Sequence, residues 1–191
     1  MKRIGPGIIR GFYGRVLYVD ENFDILAATV PGNNNLPDPV IRPGTGIPYA
    51  GFSNSGITEF PGHKEYDHGG SLVEGIARII PHFHWSPTTN DAGTVKFFFE
   101  YNLVNDSTVS SGTVAVTDIS SGVAWQEQVK SFEDILFTAG LLHIGTQIAF
   151  RFYRDPSDPE DTYPATVVLH TAGWHYPVDS SGSIGVFLKY G

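Results

Sequence analysis

Apolar and polar positions alternate most sharply over Gly93–Val104. Val95, Phe97, Phe99, Tyr101 and Leu103 fall on one face there, and Lys96, Phe98, Glu100 and Asn102 on the other. A period of two marks a strand with one buried face. Gln147–Arg154 repeats the pattern, with Ile148, Phe150 and Phe152 set against Ala149, Arg151 and Tyr153. Further strands are predicted over Ile8–Val19, Ile25–Val30, Leu72–Trp85, Thr113–Ile119, Ala124–Val129, Ala165–Tyr176 and Ser183–Lys189. Turn-forming clusters separate them, among them Asp20–Asp24, Pro87–Gly93, Ser120-Ser121-Gly122 and Asp155–Pro159. Phe132–Phe137 is the single helical candidate and reads equally as a turn.

Residues 31–70 break this rhythm. Gly, Pro, Asn and Ser dominate, and no periodicity survives. Forty such residues are too many for a loop inside one domain. The scattered Phe52, Ile57, Phe60 and Tyr66 suggest an extended arm ordered by a neighbour. The expected organisation is therefore an arm over residues 1–70 with one or two strands, followed by a domain over 71–191. Many short strands separated by turns make the fold class all-β, a jelly-roll-like β-sandwich with a long irregular N-terminal arm.

Composition sharpens the picture in three ways. The 22 glycines and 13 prolines among 191 residues supply turn chemistry, and no run is rich enough in helix formers to compete. No stretch approaches the ~18 consecutive apolar residues of a membrane-spanning helix. The start lacks the apolar core of a signal peptide, because Arg10 and Arg15 interrupt it. The absence of cysteine removes disulfides, thiolate catalysis and cysteine-bound zinc together.

Charge is unevenly spread. Residues 1–19 hold Lys2, Arg3, Arg10 and Arg15 and no acid, for +4; the remaining 172 hold 8 bases and 20 acids, for −12. An acidic body argues against nucleic-acid binding, whereas the basic start suits an acidic partner surface.

Chemistry-bearing patterns are few. In Ile80-Pro81-His82-Phe83-His84-Trp85 the two histidines share one strand face, so both could reach one metal, with His170 or His175 as a third ligand. His170 and His175 are five apart, on opposite faces of a regular strand, so at most one qualifies. A jelly roll with a His-x-His strand suggests a metal-dependent cupin-like enzyme, but no Glu follows the second histidine. The competing assignment places His82 and His84 at a sheet surface or subunit interface, hydrogen-bonded there with no metal.

No nucleophile elbow, phosphate loop or dinucleotide fingerprint is present. The acidic loop with Asp155, Asp158, Glu160 and Asp161 could take calcium, although it lacks the EF-hand spacing. Arg151 and Arg154 flank Tyr153 and pair either with nearby acids or across a subunit boundary. Trp125 and Tyr163 are candidate sugar contacts. No cofactor is expected.

Several runs resemble a family of tailed-bacteriophage and prophage virion-associated proteins. They are Glu74-Gly75, Ile80–Pro87, Asp91–Val95, Phe99–Tyr101, Phe152–Asp155 and Trp174–Ser183, and the likeness spans about residues 66–185. It implies a virion component, with jelly-roll capsid decoration (cement) proteins the nearest category, and no catalytic residues. The resulting expectation is a non-enzymatic decoration protein located in the virion. It would contact the major capsid protein or other virion proteins as a homo-oligomer such as a trimer, without nucleic acid or membrane. The expected contact residues are Lys2, Arg3, Arg10, Arg15, Phe52 and Phe60. A tail or fibre component that binds a host receptor is the alternative, and the cupin-like enzyme is a further one.

Overall fold

The computed structural model describes residues 17–23, 36–65, 76–105, 108–138 and 146–178. Every regular element among them is a strand: β1 (Leu17–Phe23), β2 (Asp38–Ile41), β3 (Pro48–Phe52), β4 (Thr58–Glu65), β5 (Ile76–Pro87), β6 (Thr94–Asn105), β7 (Thr108–Ile119), β8 (Gln128–Ser131), β9 (Ile135–Thr138), β10 (Gln147–Arg154) and β11 (Val167–Val178). They form two antiparallel sheets. One has the order β4-β10-β6-β7, and the other runs β2-β3-β11-β5-β8 with β1 added to β11 and β9 to β5.

The path β3-β11-β5-β8 facing β4-β10-β6-β7 is the jelly-roll winding, in which successive strands of these eight cross between the two sheets except at the β6–β7 hairpin. The long strands β5 and β11 pair with each other, and each carries two shorter partners along its free edge. On β11, β3 takes Val167–Leu169 and β1 takes Ala172–Val178. On β5, β9 takes Ile76–Ile79 and β8 takes His82–Trp85.

The core follows the predicted alternation. β6 buries Val95, Phe97, Phe99 and Leu103, and β10 buries Ile148, Phe150 and Phe152 against Phe83, Trp85 and Trp174 of the facing sheet. Phe97 sits at the centre, with ring centroids 4.6 Å from Phe83, 5.2 Å from Phe152 and 6.0 Å from Trp85. Each fully buried aromatic contributes roughly 1.5–3 kcal/mol of transfer free energy, and offset or tilted ring pairs add to it. The Trp85 indole is satisfied as well, donating to Asp118 at 3.0 Å.

Three expectations are corrected. Residues 38–65 are not an arm. β2, β3 and β4 are strands of the sandwich, and Phe52 and Phe60 are core side chains at 0% and 3% exposure rather than partner contacts. Their glycines serve close packing instead of flexibility. A Cβ on Gly51 would stand 2.8 Å from the Asp38 carbonyl oxygen of β2 and collide with Val40. Composition therefore disguised three strands as a linker.

Secondly, Phe132–Phe137 is neither helix nor turn throughout, since β9 begins at Ile135 and pairs with β5. Thirdly, Asp20–Phe23, taken as a turn, belongs to β1. Met1–Val16, the predicted strand Ile25–Val30, the stretch 66–75 and the predicted strand Ser183–Lys189 lie outside the described residues.

Where the chain crosses from β10 to β11, a buried ionic knot fixes the corner. Arg154 is 0% exposed and grips Asp161 through two bonds, Nε to Oδ2 at 2.8 Å and Nη2 to Oδ1 at 2.7 Å. Its remaining donors reach the carbonyls of Phe52 (3.3 Å), Ala165 (2.8 Å) and Tyr163 (2.8 Å). A desolvated guanidinium is tolerable because every side of its planar fork meets an acceptor.

Candidate functional site

The outer face of the larger sheet brings together His82, His84, His170 and His175. Phe83 and Trp85 point into the core, so alternation turns His82, His84 and Ser86 outward. On β11 the register shifts between Leu169 and Thr171. This β-bulge inserts one residue and re-aims the side chains beyond it. His170 and His175 consequently share the outer face, correcting the expectation that a regular strand would separate them.

The histidines form two groups. His82 is buried, and its ring lies flat on that of His175, with centroids 4.2 Å apart and planes 10° apart. His84 stands edge-on to His82 at 5.8 Å, and its Nδ1 bonds a Glu127 carboxylate oxygen at 2.6 Å. Beyond it, Ser86 Oγ and His170 Nε2 are 2.7 Å apart, and Tyr49 of β3 meets the His170 ring edge to face at 4.7 Å. Trp125, in the loop before β8, closes the group with its ring centroid 6.2 Å from that of Tyr49.

Electrostatics bind the second group together. The bond to His84 holds the Glu127 carboxyl below its ordinary range, with smaller help from the charges of His84 and His170. Burial pushes the His170 imidazole below its usual value; Arg42 and His84 add to that, and Glu127 opposes it.

This geometry does not form the metal pair that the His-x-His spacing suggested. Imidazole nitrogens carry their lone pairs in the ring plane, so the parallel rings of His82 and His175 aim theirs side by side rather than at one point. His84 is engaged by Glu127. Among the described residues no group of three or more His, Asp or Glu side chains could hold a metal ion.

The acidic loop is committed to protein partners as well. Lys96 Nζ reaches Asp158 at 3.0 Å and Glu160 at 2.6 Å, Asp161 belongs to Arg154, and Asp155 accepts from Ser157. Arg151 bridges Glu59 and Glu100 within the chain, at 2.9 and 2.8 Å. Ser86, the hydroxyl nearest a histidine, is 0% exposed.

Tyr163, named with Trp125 as a sugar contact, is 2% exposed, with its hydroxyl 2.8 Å from that of Thr89. Lys2, Arg3, Arg10 and Arg15 lie outside the described residues. Tyr49 and Glu127 carried no signal of their own, because only tertiary pairing brings them beside His170 and His84.

No family model and no curated protein matches the chain. Among solved structures the chain is similar to a variant of the Bacillus thuringiensis Cry1Da tryptic core, at a TM-score of 0.42 and 14% identity. The alignment covers 87% of this chain and 24% of that structure, so the chain spans about a quarter of its length.

Proposed function

We propose that the protein is a non-catalytic structural component of a tailed-bacteriophage virion, a capsid decoration protein that works as a homo-oligomer on the shell. The observation that carries this reading is the placement of the runs that resemble virion-associated proteins. Ile80–Pro87 lies on β5, Asp91–Tyr101 leads into and along β6, and Trp174-His175-Tyr176 lies on β11. The β5 and β11 runs are hydrogen-bonded neighbours, with Trp174 opposite Pro81 and His175 opposite Ile80. The likeness thus falls on one packed unit, in which His82 of one run stacks on His175 of the other.

Docking falls to the basic residues Lys2, Arg3, Arg10 and Arg15, since Phe52 and Phe60 are spent in the core. Four cations against an acidic shell surface give attraction that salt weakens over a Debye length of about 8 Å at physiological ionic strength.

Adding the purified full chain to shells that lack it tests the reading. Saturable co-sedimentation with the shells, lost progressively as salt rises, is expected, together with a higher disruption temperature of the decorated shells. Sedimentation of the protein apart from the shells at low salt would overturn the assignment.

A further inference from the structure

The group around Trp125 has features that a decoration role does not use. Six side chains form a closed circuit on the outer face of the larger sheet. Trp125 neighbours Tyr49, Tyr49 meets His170, and His170 bonds Ser86. His84 lies two residues before Ser86 on the same face and bonds Glu127, which is two residues from Trp125. The mutual electrostatic influence of Glu127 and His170 spans the circuit from the other side.

Trp125 is the only non-glycine among the described residues with a left-handed backbone, at φ 66°. A bulky residue in that region is strained and persists only where its surroundings impose it. Here they do. The Trp125 N–H donates to the Pro87 carbonyl at 2.7 Å, and the Ala124 N–H to Asn90 Oδ1 at 2.8 Å. Ser121 N–H is held by Gln128 Oε1 at 2.8 Å. The strain is spent on setting a half-exposed indole at 53° to the half-exposed Tyr49 ring.

We infer that this circuit is a binding site for a neutral saccharide. An aromatic wall takes the C–H face of a pyranose while planar polar groups around it take the hydroxyls, the usual division of a site into apolar body and a few placed polar atoms. The polar groups are present. Among the described residues the Trp125 indole N–H, the Tyr49 hydroxyl, His84 Nε2 and His170 Nδ1 make no hydrogen bond. Glu127, kept ionised by His84, has a second oxygen to accept from hydroxyl donors. The same carboxylate, on a chain of net charge −8, opposes phosphate, sulfate and carboxylate ligands. That selects neutral sugars over nucleotides and acidic glycans. The inference is independent of the decoration role: either can fail alone.

The test is a glycan array carrying neutral, sialylated and phosphorylated oligosaccharides, probed with the full chain. Tryptophan fluorescence titration with the best-retained oligosaccharide then compares variants. Trp125→Gly removes the indole and suits the left-handed backbone, so it is expected to melt no lower than wild type while losing about tenfold or more in affinity, the scale of one aromatic contact. Glu127→Gln, on an exposed side chain, is expected to keep the fold and weaken binding several-fold. Retention of no glycan, retention of acidic glycans alone, or affinities within twofold of wild type for both variants would overturn the inference.

Discussion

Replacing Arg154 with alanine removes the guanidinium that holds the corner between β10 and β11. Asp161, with 1% of its side chain exposed, would then keep only the Lys96 backbone N–H at 3.1 Å. The carbonyls of Phe52, Tyr163 and Ala165 would lose a donor together. Breaking a buried ion pair from one side costs about 3–5 kcal/mol, and the orphaned carbonyls move the expectation to the upper part of that range. For a domain of this size each kcal/mol lowers Tm by roughly 2–4 °C, so a cost of about 4–5 kcal/mol gives an expected fall of roughly 8–20 °C.

Urea denaturation read by tryptophan fluorescence gives the free energy directly. Removing both charges, as in Arg154→Met with Asp161→Leu, should recover only the part of the loss due to the unpaired Asp161 charge, because the carbonyls of Phe52, Tyr163 and Ala165 still lack a donor. An Arg154→Ala cost below about 1 kcal/mol at unchanged m-value would refute the corner's role.

Gly93→Ala should destabilise by about 1–3 kcal/mol, since a Cβ there would stand 2.7 Å from Tyr163 Cα and 2.9 Å from the Thr162 oxygen; thermal melting reads it. His170 has a folded pKa below its unfolded one, so the unfolded chain binds more protons and stability falls as pH drops through the ordinary histidine range. Melting curves between about pH 7.5 and pH 5 should show that loss, and His170→Gln should reduce it. Deleting residues 1–16, which precede every described strand, should leave a folded sandwich, whereas deleting 1–65 should abolish folding by removing Phe52 and Phe60 from the core; circular dichroism distinguishes the two.

How much of this was legible in the sequence depended on whether local pattern or tertiary pairing decided the outcome. β6 and β10 were readable to the residue face, because aromatic and β-branched positions alternate with polar ones under a simple period of two. β3 and β4 were hidden by their own glycines and prolines. Gly51 must be small for β2 to approach, and composition alone makes such a residue look like loop. The period of two puts Arg154 on the core side with Phe150 and Phe152, but no local pattern shows that Asp161 is the partner that makes a buried guanidinium tolerable there. The site is the least legible part. The bulge after Leu169 turns His170 to the face of His175, and no residue announces it. Trp125 in a left-handed turn is likewise a position where sequence favours glycine, and only the bonds from β5 and its following loop explain the exception.

The central proposal, that the protein decorates a phage shell, is tested most directly by quantitative mass spectrometry of phage particles purified from cells that express it. The account predicts copies in a fixed, high ratio to the major capsid protein, retained through low-salt purification. Absence from the particles, or a handful of copies confined to one vertex or the tail, would contradict it.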